Sequence, residues 1–231
     1  FKKNFETFEY NDWFELEDYS RNFDYCYFIK SGRNDTIFLN NCKSLIHSVF
    51  NFNEPHGYKY LYISEWLAKQ NNKPNDYVNH IINLSDNKTR DYREYLNIPN
   101  DKIVIGRIGG YNEFSIQFVK GLIQYIVNND EDFVFLMVNT EKFTDHPNVI
   151  FLPAIIDEQE KSNFILSCDA GITARIDGES FGIVNGEFLY HNKPIFTYGG
   201  GRDKNNVEMM KDSDLVFYNE YQLLEKLMRL K

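Results

Sequence analysis

The sequence predicts an α/β protein built on largely parallel sheets, and three observations carry that prediction. Apolar runs of strand length alternate with helical stretches along most of the 231 residues. The strand runs are nearly continuous in apolar side chains, as strands covered by helices on both faces must be. At residues 102–110 and 171–187 a short strand passes through a glycine-containing turn directly into a helix, the signature of a βα unit.

In the first half, residues 25–29, 44–50 and 60–64 read as strands, with a helix opening at Glu65 and a further strand over 78–82. Between Asn83 and Asn100 the chain turns polar and charged, with residues 85–89 as a linker and 92–96 as a short helix. A domain boundary near residue 85 follows, giving an N-terminal domain over 1–84 and a C-terminal one over 85–231.

In the second half, residues 102–106 form a strand ending in glycine. Phe114, Phe118, Leu122, Tyr125 and Ile126 then recur at helical spacing. Strands are expected over 133–138, 149–152, 171–174 and 194–197. Helices are expected over 157–166, opened by the capping pair Asp157 and Glu160, and over 182–190. Leu223, Leu224, Leu227 and Met228 close the chain as an amphipathic helix.

Composition excludes several classes. A formal charge of −9 argues against a nucleic-acid binder, whose affinity rests on Lys and Arg displacing counterions from phosphates. No apolar run approaches the roughly 18 residues of a membrane span, and no signal peptide opens the chain. Cys26, Cys42 and Cys168 are far apart and match neither a disulfide framework nor a zinc pattern. A reducing compartment, the cytoplasm, is the expected location.

Two constellations can carry chemistry. In Gly106-Arg107-Ile108-Gly109-Gly110 the glycines let a ligand approach the backbone, and Arg107 supplies the fixed cation an acidic protein needs to hold a diphosphate. The second runs from Gly178 to Glu187. Carboxylates repel phosphate, so beside a nucleotide Glu179 and Glu187 are of use against hydroxyls, where an ionised Glu accepts two hydrogen bonds from a vicinal diol. The amides of Ser180, Phe181 and Gly182, at the helix start, can face a phosphate or a sugar. A tight turn and the electrostatics of a helix start would also account for these residue types. Asp130-Glu131-Asp132 and Asp212-Ser213-Asp214 offer a competing metal-site reading, and a glycoside hydrolase would be a second use of paired carboxylates.

Residues 90–210 resemble the retaining glycosyltransferases of family four, which have the GT-B fold. Gly106-Arg107-Ile108 resembles the start of the family's donor domain, and residues 149–153 the strand and loop that meet the base. Glu179 and Glu187 match its glutamate, seven residues, glutamate motif, and Lys193-Pro194-Ile195-Phe196 resembles the strand that follows. The resemblance implies two Rossmann-like domains facing across a cleft, the first of them short, with the last helix (about 216–231) packing back on the first.

It further implies a sugar moved from a nucleotide-diphosphate sugar, a UDP-sugar such as UDP-glucose, to a glycan, protein or lipid acceptor with retention and without a metal or other cofactor. Arg107 with the Gly109 and Gly110 amides would hold the diphosphate, and Glu179 with residues 180–182 the sugar. Glu187 would take the ribose, Leu152 would lie against the base, and His47 would reach the donor sugar from the first domain, with His56 as second choice. One departure stands out: many members carry a lysine a few residues after the arginine, where this chain has Asn112-Glu113. A sugar-nucleotide-binding module, inactive or dependent on a partner, is the alternative.

Overall fold

A computed structural model describes residues 6–231. The chain divides into two compact units, Phe1–Asn79 and His80–Lys231.

In the first unit, strands β1 (Tyr25–Lys30), β2 (Lys43–Ser48) and β3 (Lys59–Tyr62) form a parallel sheet in the order β1-β2-β3. Helix α1 (Trp13–Tyr19) is capped by the Asp12 side chain, which accepts from the amides of Phe14 and Glu15. Helix α2 (Glu65–Gln70) follows β3, capped by Ser64, and buries Leu67 and Ala68. The central strand carries the burial, with Ser44, Ile46, His47 and Ser48 all buried. Along β1 the exposed residues are Tyr25, Tyr27 and Ile29, so one face of this edge strand is open to solvent. The strand expected over 78–82 does not form. Pairing stops at a single bridge between Tyr62 and Tyr77, and the polar Asn79 and His80 interrupt the apolar run.

The second unit contains β4 (Ile103–Arg107), β5 (Phe133–Val138), β6 (Val149–Leu152), β7 (Ala170–Thr173), β8 (Gly178–Glu179), β9 (Ile195–Tyr198), β10 (Asp203–Lys204) and β11 (Val216–Phe217). Its helices are α3 (Tyr92–Tyr95), α4 (Gln117–Asn129), α5 (Glu158–Ser167), α6 (Ile183–Tyr190), α7 (Asn205–Met209) and α8 (Glu220–Met228). Six strands form one sheet in the order β11-β9-β7-β4-β5-β6, all parallel, while β8 and β10 pair separately. This is the doubly wound order in which the first strand lies at the centre and the chain winds outward in both directions.

Alternation along β5 shows why the strand runs are apolar throughout. Phe133, Phe135 and Met137 enter the core shared with Val119, Ile123 and Ile126 of α4, whereas Val134, Leu136 and Val138 enter the core shared with Phe164 and Ile165 of α5. A strand with helices on both faces has no solvent side on which to place polar residues. Within the second unit the closing helix α8 packs on α4, with Leu223 and Leu227 fully buried in their shared core. Its apolar stripe is met there by α4, and its Lys226 and Arg229 pair with Asp214 of the same unit. Among the described residues no helix is long and apolar enough to cross a membrane.

Leu227→Ala, which empties a fully buried site between α8 and α4, is expected to lower the unfolding free energy by about 2–5 kcal/mol. Urea denaturation checks this. A loss below about 0.5 kcal/mol would mean that α8 is not part of this core.

Candidate functional site

In a doubly wound sheet, ligands bind beyond the carboxyl ends of the strands where the winding reverses, because the loops there diverge and leave a crevice. Here the reversal lies between β4 and β7. The carboxyl end of β4 leads into Arg107, Ile108 and Gly109, and that of β7 into Ala174 and Arg175. Together with Glu113, Thr173, Glu179 and Val184 these residues line a small cavity of about 30 Å³, room for about one water. The loops are tied to each other by two hydrogen bonds: Ser115 N–H donates to Ala174 O at 3.0 Å, and Ile176 N–H to Ser115 Oγ at 3.0 Å.

Arg107 ends β4 and is only 3% exposed. Its Nη1 donates to Val138 O (3.0 Å), Asn139 O (2.8 Å) and Thr140 Oγ1 (2.8 Å), and its Nη2 to Gly110 O (2.7 Å). Burial pulls the guanidinium down to about 10, against the pull of Glu113 and Glu179, so it stays charged at neutral pH. The sequence expectation made Arg107 the side chain that holds a diphosphate. In the structure its hydrogen bonds are spent on the ends of β5 and on the glycine turn, since a buried cation must find acceptors within the protein.

Gly106 is also not part of the turn. It lies inside β4, where a Cβ would come within 2.5 Å of Cys168 Sγ, so glycine there serves the packing of α5 on the sheet. Gly109 and Gly110 do form the turn. Asn139 Nδ2 donates to Gly109 O (2.9 Å), and Gly110 N–H donates to Glu113 Oε2 (3.0 Å).

Glu179 sits in β8, held against β10. Gly178 before it adopts φ +76, and a Cβ there would fall 1.9 Å from Asp203 O, so this close approach requires glycine. Burial raises the Glu179 carboxyl to about 7. Arg175 opposes that rise, while Glu113 and Asp203 add to it. Gly182, at φ +87, is the N-cap of α6 and no side chain caps the helix. The first-turn amides therefore belong to residues 182–185, so that of the expected Ser180, Phe181 and Gly182 only Gly182 is among them. Phe181 is buried with its ring edge-on to His80 at 5.7 Å.

Glu187 lies on α6, 4% exposed, and its Oε1 accepts from Lys161 Nζ of α5 at 2.6 Å. The two motif glutamates thus have different surroundings: Glu179 faces the cavity, and Glu187 is covered by a lysine. Leu152 ends β6, partly buried in the α5 core and two strands, about 10 Å, from β4. His47 is a core residue of β2 in the first unit, 3% exposed, with Nδ1 hydrogen-bonded to the Tyr27 hydroxyl. His56 Nδ1 is 2.8 Å from Glu54 O.

The acids of the competing metal reading are engaged elsewhere. Asp130 and Asp132 pair with Lys231 at 2.7 and 2.8 Å, and Asp214 pairs with Lys226 and Arg229. Among the described residues no group of three or more His, Cys, Asp or Glu is placed to hold a metal ion.

Sequence reasoning missed Arg175 and Lys161 and gave Glu113 no role. Arg175 has a signal that becomes visible only with the sheet order: it is the first charged residue beyond the strand that flanks β4 at the reversal.

No protein-family model matches the sequence, and no curated protein matches it. Solved structures do share its fold. A glycosyltransferase from Rickettsia africae ESF-5 is 15% identical with a TM-score of 0.64, over 94% of this chain and 69% of that one. HepE of Anabaena, solved in complex with UDP-glucose, is 14% identical with a TM-score of 0.63, over 94% of this chain and 71% of that one. TarM is 10% identical with a TM-score of 0.57, and this chain spans 44% of its length. At these identities the likeness is one of fold: an α/β chain with the GT-B fold of these neighbours, consistent with two Rossmann-like domains.

The raised carboxyl of Glu179 has a consequence for stability. A folded-state value of about 7, above the free carboxyl's 4.5, means that ionisation opposes folding. The penalty is absent below pH 4.5, grows as the pH rises toward 7, and is constant above that. Glu179→Gln should therefore gain stability relative to the parent across this window, on the order of 2–3 kcal/mol. Melting curves from pH 4 to 8 measure it, and a difference that does not change with pH would contradict the assignment.

Proposed function

We propose that the protein is a glycosyltransferase that moves a hexosyl group from a nucleotide-diphosphate sugar, UDP-glucose or a close analogue, to a hydroxyl acceptor with retention of configuration and without a metal. The observation that carries this reading is the mouth of the sheet reversal. Arginine, a glycine turn, the first turn of α6 and a half-buried glutamate converge there in a fold shared with HepE, which has been solved with UDP-glucose. Bond cleavage between the sugar and the diphosphate leaves negative charge on the leaving oxygens, and fixed cations and backbone amides stabilise such charge without reorganising.

In this reading Glu179 accepts hydrogen bonds from sugar hydroxyls, and Glu187 accepts from the ribose diol once Lys161 gives way. The Gly109 and Gly110 turn and the amides of residues 182–185 approach the diphosphate, and the base lies near Leu152. Arg107 acts on the diphosphate from within the protein, by shaping the turn and by its field. Transfer to solvent or acceptor would occur in the cytoplasm.

A second reading, a sugar-nucleotide-binding module, is favoured by a specific observation: a carboxylate, Glu113, stands at the glycine turn, and the cavity beside it measures about 30 Å³.

The test is to titrate the protein with UDP- and GDP-sugars and to follow release of the nucleotide. Binding with slow hydrolysis, accelerated by an acceptor, supports the transferase. Binding without release under any condition supports the module, and no binding at all overturns both. Glu187→Ala should weaken every uridine nucleotide by about tenfold or more, the loss expected for hydrogen bonds to a charged group. Glu179→Ala should change discrimination among sugars and leave UDP affinity within about threefold of the parent. Equal effects of both substitutions on every ligand would remove the two carboxylates from these roles.

A further inference from the structure

Three residues of the mouth form a connected charge system, and the donor reading leaves two of them, Arg175 and Glu113, without a part. Arg175 Nη1 lies 3.1 Å from Glu113 Oε1 and 3.4 Å from Glu179 Oε2. The other oxygen of Glu113 accepts from Gly110 N–H at 3.0 Å. A single carboxylate of this chain therefore bridges a guanidinium and a turn amide with its two oxygens. That is the donor set a phosphate oxygen pair would use, since carboxylate and phosphate accept from N–H and guanidinium groups in the same way. Arg107 is not an equivalent partner, because its fork is turned to the carbonyls of Val138, Asn139 and Gly110.

We propose that Arg175 is the cation that receives the phosphate of the ligand, and that Glu113 is the internal anion which the phosphate displaces from Arg175 and Gly110. This rests on the nucleotide-diphosphate reading given above. The exchange is physically easy on the protein side. The Glu113 side chain is 43% exposed and Arg175 26%, so a released Glu113 carboxylate turns into water. An ion pair this open to solvent holds with under about 1 kcal/mol. Release of Glu113 also widens the small cavity of about 30 Å³ that it lines. Glu179, which meets the same Nη1 at 3.4 Å, still holds Arg175 in the mouth after Glu113 leaves. The site thus holds its cation ready without leaving it bare, and its ligand class is a phosphate or diphosphate ester able to outcompete one carboxylate.

The experiment is calorimetric titration of the full chain with UDP, GDP, uridine and inorganic pyrophosphate at fixed ionic strength, comparing the parent, Arg175→Gln and Glu113→Gln. Arg175→Gln should weaken UDP and pyrophosphate by about tenfold or more, and uridine by less than about twofold. Glu113→Gln should tighten UDP and pyrophosphate by about threefold to tenfold, because the competing charge is gone while the side chain keeps its size. This gain cannot be produced by loss of folding. The proposal is overturned if Arg175→Gln binds UDP and pyrophosphate as the parent does, or if Glu113→Gln weakens them. If the parent binds pyrophosphate but no nucleotide, with these two signs preserved, the phosphate site stands and the nucleotide reading falls. A parent that binds none of the four probes ends both.

Discussion

The buried guanidinium of Arg107 organises the site more than any other group. A cation removed from water must have its donors matched by acceptors, and here the acceptors are the carbonyl of Val138 at the end of β5, those of Asn139 and Gly110, and the Thr140 hydroxyl. Those bonds fix the ends of two adjacent strands and the path of the glycine turn at once. The turn in turn presents the Gly110 amide to Glu113, and Glu113 reaches Arg175 beyond the neighbouring strand. One desolvated charge thereby sets the positions of the exposed ones. Removing it would leave buried carbonyls unpaired on two loops, a larger cost than the loss of a surface ion pair.

The two motif glutamates illustrate how environment assigns roles to identical side chains. Glu179 is anchored by the β8–β10 pairing and by Gly178, whose missing Cβ lets the Asp203 carbonyl approach, and burial raises its carboxyl to about 7. A carboxyl at that value is partly protonated at neutral pH and can both donate to and accept from sugar hydroxyls. Glu187 is more deeply enclosed, yet Lys161 at 2.6 Å supplies the opposite charge. The first is poised by lack of full compensation and the second is held by it.

How much of this was legible beforehand follows from which physical signals are local. The strand and helix runs of the second unit were legible because burial on both faces forces continuous apolar residues, as β5 shows from Phe133 to Val138. The glycine turn at 109–110 and Glu179 were legible because backbone approach and half-buried charge demand particular residue types. The strand expected at 78–82 failed because strand formation needs a partner ladder as well as an apolar run, and only Tyr77 finds one. The paths of Arg107 and His47 were not legible, since an arginine or histidine beside a turn reads the same whether its side chain faces solvent or the core.

By itself the sequence determined the α/β class, the succession of βα units in the second half and the residue types gathered at the mouth, because periodicity and turn chemistry act over a few neighbouring residues. The tertiary structure alone decided the strand order β11-β9-β7-β4-β5-β6 and hence which loops meet. It brought Arg175 to Glu113 across 62 positions of sequence and Lys161 to Glu187 across 26. It also sent α8 to the core of α4. Ion pairs and helix docking between distant segments leave no periodic trace in the chain. Their partners are chosen by the geometry of the sheet, which exists only once the whole unit has packed.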